Sequence, residues 1–242
     1  MSNIARKPSK LLHKDLLNEN TPFNVQEAYR ALRTNVMFSL PGTGCKCVGI
    51  TSPAPGDGKS TTSANLAVAL AQIGKRVILI DCDMRLPTVA ARFQIPAAPG
   101  LSDFLVGQAR IEDAVRNVEK YNISVLPAGN IPPDPTGLLE AKQLDSLFAA
   151  LRKIYDYVII DAAPVGEDAE VIALPPVKTV SDAMILSRYV DGFLLAIREK
   201  QTYHRDVAET LKQLQISDVK LLGFVTTGSE VKKGSYSYYY KK

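Results

Sequence analysis

One stretch, residues 51–62, constrains this chain more than any other. It reads Thr-Ser-Pro-Ala-Pro-Gly-Asp-Gly-Lys-Ser-Thr-Thr and lies between an apolar run, residues 47–50, and an alanine-rich segment typical of a helix. A strand, a glycine-bearing loop and a helix in this order are the context in which Gly-Lys-Ser binds phosphate. Gly56 and Gly58 let successive backbone N–H groups turn toward one anion, and the helix that begins near Lys59 adds its positive dipole end. The stretch therefore predicts a phosphate-binding loop.

The positions of this loop have predicted roles. Lys59 can reach the β- and γ-phosphates of a nucleotide, and the Ser60 hydroxyl can bind Mg²⁺. The usual pattern G-x-x-x-x-G-K-[ST] begins with a glycine, where this chain has Pro53. An ordinary glycine- and proline-containing turn before a helix is the alternative interpretation. The residues predicted to bind phosphate are Pro55, Gly56, Asp57, Gly58, Lys59, Ser60 and Thr61.

Two further apolar runs end in aspartates. The run over residues 76–80 leads into Asp81 and Asp83, and a second run, residues 155–160, leads into Asp161. Open α/β sheets bind their ligands at the carboxyl ends of the strands. There, Asp81 and Asp83 can hold Mg²⁺, orient water or accept a proton from a hydroxyl, although one of them can instead cap the following turn. Asp161 is similar to a Walker B acid, which positions Mg²⁺.

The order of the predicted elements indicates the fold class. Apolar runs alternate with helical segments, which predicts an α/β fold in three layers, with a mostly parallel central sheet flanked by helices. The polar, basic residues 1–23 are predicted to form a mobile arm. Residues 24–228 are predicted to be a single domain, within which the proline-containing residues 86–100 form a loop. Residues 229–242 are expected to be a flexible tail.

Composition limits the partners and the location that the sequence predicts. The chain of 242 residues carries a formal net charge of +4, which is too mild to predict nucleic-acid binding. Its cysteines, Cys45, Cys47 and Cys82, lack the spacing of a metal site and are expected to be reduced thiols. The sequence contains no recognisable signal peptide and no apolar run of about 18 residues. We therefore expect a cytoplasmic protein.

A charged pattern precedes the phosphate-binding loop. Residues 24–40 have helical spacing, and on this helix Glu27, Arg30 and Arg33 form an E-x-x-R-x-x-R pattern along one side. A solvated charged face is one interpretation. The other is a contact between subunits, in which the guanidinium groups of one chain bind carboxylates of the next.

The end of the chain is rich in tyrosine. The final residues read Gly-Ser-Tyr-Ser-Tyr-Tyr-Tyr-Lys-Lys and contain four of the ten tyrosines, Tyr236, Tyr238, Tyr239 and Tyr240. One interpretation is an exposed aromatic tail without a specific role. The other is a substrate segment, because each phenol is a nucleophile and a flexible tether raises its concentration near the site of another subunit.

Several of these segments together resemble the bacterial tyrosine kinases, the cytoplasmic protein-tyrosine kinases of capsule and exopolysaccharide export. The segments are residues 27–35, 54–61, 78–85, 158–161 and the tyrosine-rich tail. Residues 78–85, Ile-Leu-Ile-Asp-Cys-Asp-Met-Arg, look like the Walker A′ motif of that family. The resemblance implies a P-loop nucleoside-triphosphatase fold of the deviant-Walker kind, shared with partitioning and cell-division-site ATPases.

The resemblance also implies an activity. It is transfer of the γ-phosphoryl group of ATP to the tail tyrosines of a neighbouring subunit, with ATP and Mg²⁺ as cofactors, in a ring held by the Glu27/Arg30/Arg33 helix. By position, Asp81 or Asp83 is the base toward the tyrosine hydroxyl. Nucleotide-binding residues then include Arg85 of the Walker A′ motif, and the metal is held by Ser60, Asp81 and Asp161.

Partners follow from the same resemblance. Family members without membrane spans receive an activating cytoplasmic segment from a separate transmembrane adaptor of the polysaccharide co-polymerase type. The implied location is therefore the inner face of the plasma membrane, to which the adaptor recruits the kinase. A cognate tyrosine phosphatase and other protein substrates are further partners compatible with the family.

Two substitutions and a longer stretch up to residues 181–183 depart from the family pattern. Two other functions are alternatives to the kinase. Ala162-Ala163-Pro164 replaces the usual Thr-Pro-Pro, and Thr227 stands where an adenine-reading Asn is expected. One competing function is that of a deviant-Walker partitioning or positioning ATPase, whose signature lysine is replaced here by Ala54. The other is that of a catalytically weak scaffold assembled through the Glu27 helix.

Overall fold

A seven-stranded sheet forms the centre of the domain. The computed structural model describes residues 15–165, 182–216 and 218–229. The strand order is β3-β4-β2-β5-β1-β6-β7, and every neighbouring pair is parallel except β3 with β4. The strands are β1 (Lys46–Thr51), β2 (Val77–Asp81), β3 (Arg116–Val118), β4 (Ile123–Leu126), β5 (Tyr157–Asp161), β6 (Gly192–Arg198) and β7 (Leu221–Thr227). The predicted α/β class with a mostly parallel sheet is confirmed.

Helices cover both faces of this sheet. They are α1 (Phe23–Ser39), α2 (Lys59–Ala71), α3 (Val89–Phe93), α4 (Leu101–Leu105), α5 (Ile111–Ala114), α6 (Pro135–Leu139), α7 (Lys142–Ile154), α8 (Asp182–Leu186) and α9 (His204–Ile216). Helices α1 to α3 pack on one face and α4 to α8 on the other, where Leu214 of α9 also packs. The three predicted layers are therefore present, and α3 lies within residues 86–100, where the sequence predicted only a loop.

Alternating side chains of the central strands build the two cores. In β2, Ile78 and Ile80 join the core under α7, whereas Val77 and Leu79 join the core under α2. Successive side chains of a strand point to opposite faces, and a strand buried on both faces is therefore continuously apolar. Helix α2 is the most enclosed helix, since every residue of it except Thr61 is buried. This burial anchors the start of α2, which is where the phosphate-binding loop ends.

The N-terminal segment packs onto α2, which corrects the predicted domain boundary. Leu16 and Leu17 are 1% and 4% exposed and belong to the core between α1 and α2. The Asn65 side chain holds this segment, because its Oδ1 accepts from the Leu17 N–H at 2.8 Å and its Nδ2 donates to the Asp15 carbonyl at 2.8 Å. The predicted mobile arm over residues 1–23 is therefore wrong from residue 15 onward, because two adjacent leucines within a polar segment were overlooked as core residues.

We predict that Asn65→Ala releases this segment without unfolding the domain. The substitution leaves a buried N–H and a carbonyl without their partner, which costs about 1–3 kcal/mol for each unsatisfied group. The expected result is faster proteolytic cleavage near residues 15–22 and a lower urea midpoint. Asn20→Ala, at an exposed position of the same segment, is the control. Equal cleavage rates in the two variants would show that Asn65 does not hold the segment.

Other predictions concern membranes, thiols and the tail. Within residues 15–165, 182–216 and 218–229, no helix has both the length and the apolar character needed to cross a bilayer. Cys45, Cys47 and Cys82 are free thiols. The tail tyrosines and the predicted boundary at residue 229 fall at or beyond the end of the described chain.

Candidate functional site

The predicted phosphate-binding loop connects β1 to α2. Gly56 and Gly58 have φ angles of 92° and 93°, in the left-handed region that glycine adopts without strain. Gly58 is the residue that precedes the first turn of α2, so the loop ends at a helix N-terminus with free N–H groups. Pro53 does not have a positive φ, and a proline, which fixes φ near −65°, therefore fits where the usual pattern has glycine.

Lys59 forms the centre of the site. Its Nζ lies 2.7 Å from Asp83 Oδ2 and 3.6 Å from Asp161 Oδ1, and all three side chains are at most 8% exposed. Burial alone would lower the pKa of Lys59, but the charges of Asp161 and Asp83 raise it overall. The lysine is therefore a fixed cation at the start of α2. The predicted convergence of these residues from three separate segments is present.

Asp81 lies beside Asp161 at the same edge of the sheet. The two residues are partners in the parallel register of β2 and β5. Asp81 accepts backbone N–H groups from Asp83, Thr88 and Val89 at 3.0–3.2 Å, so it also caps the start of α3. Burial and the nearby charge of Asp161 raise the pKa of Asp81 to about 8. Of these two aspartates, Asp83 contacts Lys59, whereas Asp81 stabilises the backbone between β2 and α3.

Asp161 has the features of a residue that binds a metal through water. Its Oδ1 lies 3.2 Å from the Ser63 hydroxyl, whereas its Oδ2 is buried and has no hydrogen-bond partner in the described part of the chain. Burial raises the pKa of Asp161, because the charged carboxylate is removed from water. A cation or a bound water next to Oδ2 would therefore stabilise the charged form. Ser60 Oγ lies 3.2 Å from Lys59 Nζ, in the same small volume. An orphaned carboxylate oxygen and a loop serine fit Mg²⁺, which takes few protein ligands and shares the phosphates of its nucleotide.

No group of three or more His, Cys, Asp or Glu residues among the described ones is arranged to hold a metal ion by itself. Ser60 and Asp161 would supply only part of a coordination shell for Mg²⁺. This agrees with the chemistry of Mg²⁺ in phosphate-binding loops, where substrate phosphates and waters complete the octahedron. Ala162 and Ala163 supply no hydroxyl beside Asp161, and the hydroxyl that contacts it is that of Ser63 in α2.

The structure places Arg85 in a side-chain network at the edge of the site. Its Nε lies 3.2 Å from Asp182 Oδ2, and its Nη2 donates to Thr136 Oγ1 at 2.9 Å. The Thr136 hydroxyl in turn donates to Asp182 Oδ1 at 2.7 Å, and Asp182 is 3% exposed. This network ties the segment after β2 to α6 and α8. The predicted contact of Arg85 with nucleotide stays a prediction, since its guanidinium is held by these two residues.

Some of the charged residues of α1 form contacts within their own chain. Arg30 pairs with Glu27 one turn away, and both side chains are more than 40% exposed. Arg33 points instead to α2, where its Nη1 donates to the Ala69 carbonyl at 2.9 Å. Glu27 and Arg30 are thus available at the surface, whereas Arg33 also binds its own domain. The prediction of a subunit contact stays open at the first two positions.

Three residues near the loop were not predicted as site residues. Arg198, Thr202 and Thr227 come from the far half of the chain, and each donates a hydrogen bond to Gly56 or Asp57. Only Thr227 had a sequence signal, as a departure from the adenine-reading Asn. The others had none, because no periodic pattern connects them to the loop.

Comparisons with known proteins agree with this geometry. The AAA domain family matches residues 45–195. The tyrosine-protein kinase YwqD of Bacillus subtilis (strain 168) is 39% identical over 214 residues, which are 88% of this chain and 85% of the relative. The tyrosine-protein kinase CpsD of Streptococcus agalactiae serotype III (strain NEM316) is 34% identical over 201 residues, 83% of this chain and 81% of the relative. This chain belongs to the bacterial tyrosine-protein kinases.

A solved structure with a similar fold also matches this chain. The chimerical protein CapA2B2 matches 88% of this chain and 89% of its own with a TM-score of 0.78 and 33% identity. These comparisons confirm the predicted family and the predicted fold. They also confirm the predicted class of enzyme, a tyrosine-protein kinase that carries a phosphate-binding loop. The relatives named above are kinases, which argues against the partitioning ATPase and the scaffold.

Proposed function

We propose that this tyrosine-protein kinase phosphorylates the tyrosines of its own C-terminal cluster in trans. The reaction takes the γ-phosphoryl group of ATP, with Mg²⁺ as cofactor, and the phosphorylation regulates the synthesis and export of a capsular or exopolysaccharide. The proposed acceptors are Tyr236, Tyr238, Tyr239 and Tyr240, which lie outside the described residues.

The placement of Lys59 carries this proposal. A buried ammonium at the first position of α2, between Asp83 and Asp161, can bind the terminal phosphates of a nucleotide that lies on the N–H groups of the loop. The same ammonium holds the two carboxylates close together before a nucleotide arrives. Positioning and electrostatic stabilisation account for most of phosphoryl-transfer catalysis, and these residues supply both.

The bond changes are those of an in-line phosphoryl transfer. The tyrosine oxygen forms a bond to the γ-phosphorus, the bond between that phosphorus and the β,γ-bridging oxygen breaks, and ADP leaves. The phenol proton passes to a carboxylate, either Asp81 or Asp83. Ser60 and the strand-end aspartates would hold Mg²⁺, which would withdraw charge from the phosphate oxygens.

The two aspartates that are candidates for the base have different contacts. Asp83 Oδ2 lies 2.7 Å from Lys59 Nζ. Asp81, by contrast, accepts three backbone N–H groups, and burial together with the charge of Asp161 raises its pKa to about 8. The proposed base is one of these two carboxylates, Asp83 beside the lysine or Asp81 at the end of β2.

The partners belong to the same proposal. We propose a homo-oligomeric ring and a transmembrane adaptor of the polysaccharide co-polymerase type, whose cytoplasmic segment activates the kinase and recruits it to the inner face of the plasma membrane. That CapA2B2 is a chimeric protein is consistent with a kinase that works together with a second polypeptide. A cognate phosphatase that removes phosphotyrosine would complete the cycle.

The experiment that tests the function measures two products at once. Purified protein is incubated with Mg-ATP, with and without an adaptor cytoplasmic segment, and assayed for phosphotyrosine and for free phosphate. Our proposal predicts phosphotyrosine that increases with the adaptor segment. Hydrolysis without phosphotyrosine would instead indicate a partitioning-type ATPase, and nucleotide binding with neither product would indicate a scaffold.

For the ring, we predict that Arg30→Ala lowers the mass of the assembly. Arg30 is exposed and forms an ion pair only with Glu27 among the pairs described for α1, so its loss removes a guanidinium from the surface with little cost to the fold. Light scattering should report a smaller species. Arg76→Ala is the matched control, since it breaks another exposed ion pair, with Asp156, away from α1. Identical masses for both variants would argue against α1 as the interface.

A further inference from the structure

Side chains at the ends of β6 and β7 donate hydrogen bonds to backbone carbonyls of the phosphate-binding loop. Arg198 Nη1 donates to the Gly56 carbonyl at 3.0 Å, and Thr227 Oγ1 donates to the Asp57 carbonyl at 2.6 Å. Arg198 and Thr227 are partners in the register of β6 and β7, so the sheet delivers both donors to the same place. The approach at Gly58 is close, because a Cβ there would lie 2.9 Å from the Thr227 side chain.

These contacts determine where two N–H groups point. A peptide unit is planar, so the carbonyl of Gly56 and the N–H of Asp57 point in opposite directions, as do the carbonyl of Asp57 and the N–H of Gly58. A donor that holds each carbonyl outward therefore holds the following N–H inward. Inward N–H groups are what a loop needs to bind phosphate.

The Asp57 side chain closes the same arrangement. Its Oδ1 accepts from Thr202 Oγ1 at 2.7 Å and its Oδ2 accepts from the Ala54 N–H at 2.9 Å, while the residue is only 2% exposed. Thr202 in turn accepts from the Arg198 N–H at 2.8 Å. The carboxylate therefore connects the loop to the turn after β6, and both of its oxygens are engaged by these partners.

We propose that Thr227 is a positioning residue that sets the Asp57–Gly58 peptide for phosphate, with Arg198 and the Thr202–Asp57 contact as its supports. This role explains why a threonine stands where the family pattern led us to expect an adenine-reading Asn. Thr227 is half-buried, whereas Arg198 is exposed. Water therefore screens the hydrogen bond of Thr227 less, and we expect it to contribute more to the orientation of the loop than that of Arg198. The inference rests on the proposed binding of nucleotide by this loop.

The test compares Thr227→Val with Thr227→Ser. Valine keeps the shape and the strand preference of threonine but removes the hydroxyl, so the Asp57–Gly58 peptide can rotate in the free protein. Nucleotide binding must then restrict this rotation, which lowers the affinity. We expect the Kd of a fluorescent ATP analogue with Mg²⁺ to rise about tenfold in the valine variant and to be restored by serine. In turnover, the KM for ATP should rise while kcat changes little, since the N–H groups bind ground state and transition state alike.

Two controls make the outcome decisive. Thr226→Val, at the exposed neighbouring position of β7, should leave the affinity unchanged. In the free protein, the amide signals of Asp57 and Gly58 in nuclear magnetic resonance should broaden in Thr227→Val but not in Thr226→Val, which also shows that the variant is folded. If the wild type binds and Thr227→Val binds equally well with unchanged amide signals, the inference is overturned. If the wild type itself does not bind nucleotide, the proposed function fails instead.

Discussion

Lys59→Met should reduce phosphotyrosine formation by at least about 100-fold, the loss expected when one preorganised charge-stabilising group is removed from a site. In this structure the lysine has two functions, since it contacts Asp83 and Asp161 and stands where the terminal phosphates are proposed to bind. Methionine fills a similar volume but leaves two buried carboxylates without their cation. Removing one partner of a buried ion pair costs about 3–5 kcal/mol, so a folded protein with a lower Tm is the second expected result.

The two effects are separated by measuring them on the same preparation. Circular dichroism and thermal unfolding report the fold, and labelling with antibodies to phosphotyrosine reports the activity well below the Tm. Lys142→Met, which removes an exposed lysine from the first turn of α7, should change neither. Normal labelling of the folded Lys59 variant would contradict the assigned role of this lysine.

Replacing the four tail tyrosines by phenylalanine should remove nearly all autophosphorylation while leaving Mg-ATP binding intact. The proposed acceptors are Tyr236, Tyr238, Tyr239 and Tyr240. Phenylalanine keeps the ring and removes only the nucleophilic oxygen, so the loss is specific to the acceptor. Tyr203→Phe is the matched control, because Tyr203 is 75% exposed yet lies outside the tail, and its loss should leave labelling unchanged.

A mixture of two variants tests whether the reaction occurs in trans. The Lys59→Met chain keeps its tail but cannot transfer phosphate, and the tail variant can transfer phosphate but has no acceptors. Mixed with Mg-ATP, the pair should place phosphotyrosine on the Lys59→Met chain, at a rate that rises with protein concentration. Labelling that appears only in unmixed wild type would indicate transfer within one chain.

The strands and the centre of the site could be predicted because their signals are local. The strand that ends in Asp81 and the strand that ends in Asp161 are continuous apolar runs, and the loop before Lys59 carries its own glycines. Parallel strands bring their carboxyl ends to one edge, so the meeting of Lys59, Asp83 and Asp161 followed from topology.

The missed parts depend on contacts that are distant in sequence. Helix α3 has only five residues and lies among prolines, and its first N–H groups are capped by Asp81. The segment that contains Leu16 and Leu17 is hydrogen-bonded to Asn65, 48 residues away from Leu17. The bracing of the loop by Thr227 spans 170 residues and depends on the register of two strands. No window of sequence contains such information.

The most direct test of the central claim is the fate of the γ-phosphoryl group in a single turnover. Wild-type protein in excess over radiolabelled Mg-ATP is quenched at intervals, and ADP, inorganic phosphate and phosphotyrosine are quantified together. Our account predicts that phosphotyrosine on the tail appears in step with ADP, because a tyrosine oxygen attacks at the site formed by Lys59 and the strand-end aspartates. Recovery of the label as inorganic phosphate, with no phosphotyrosine formed, would contradict it.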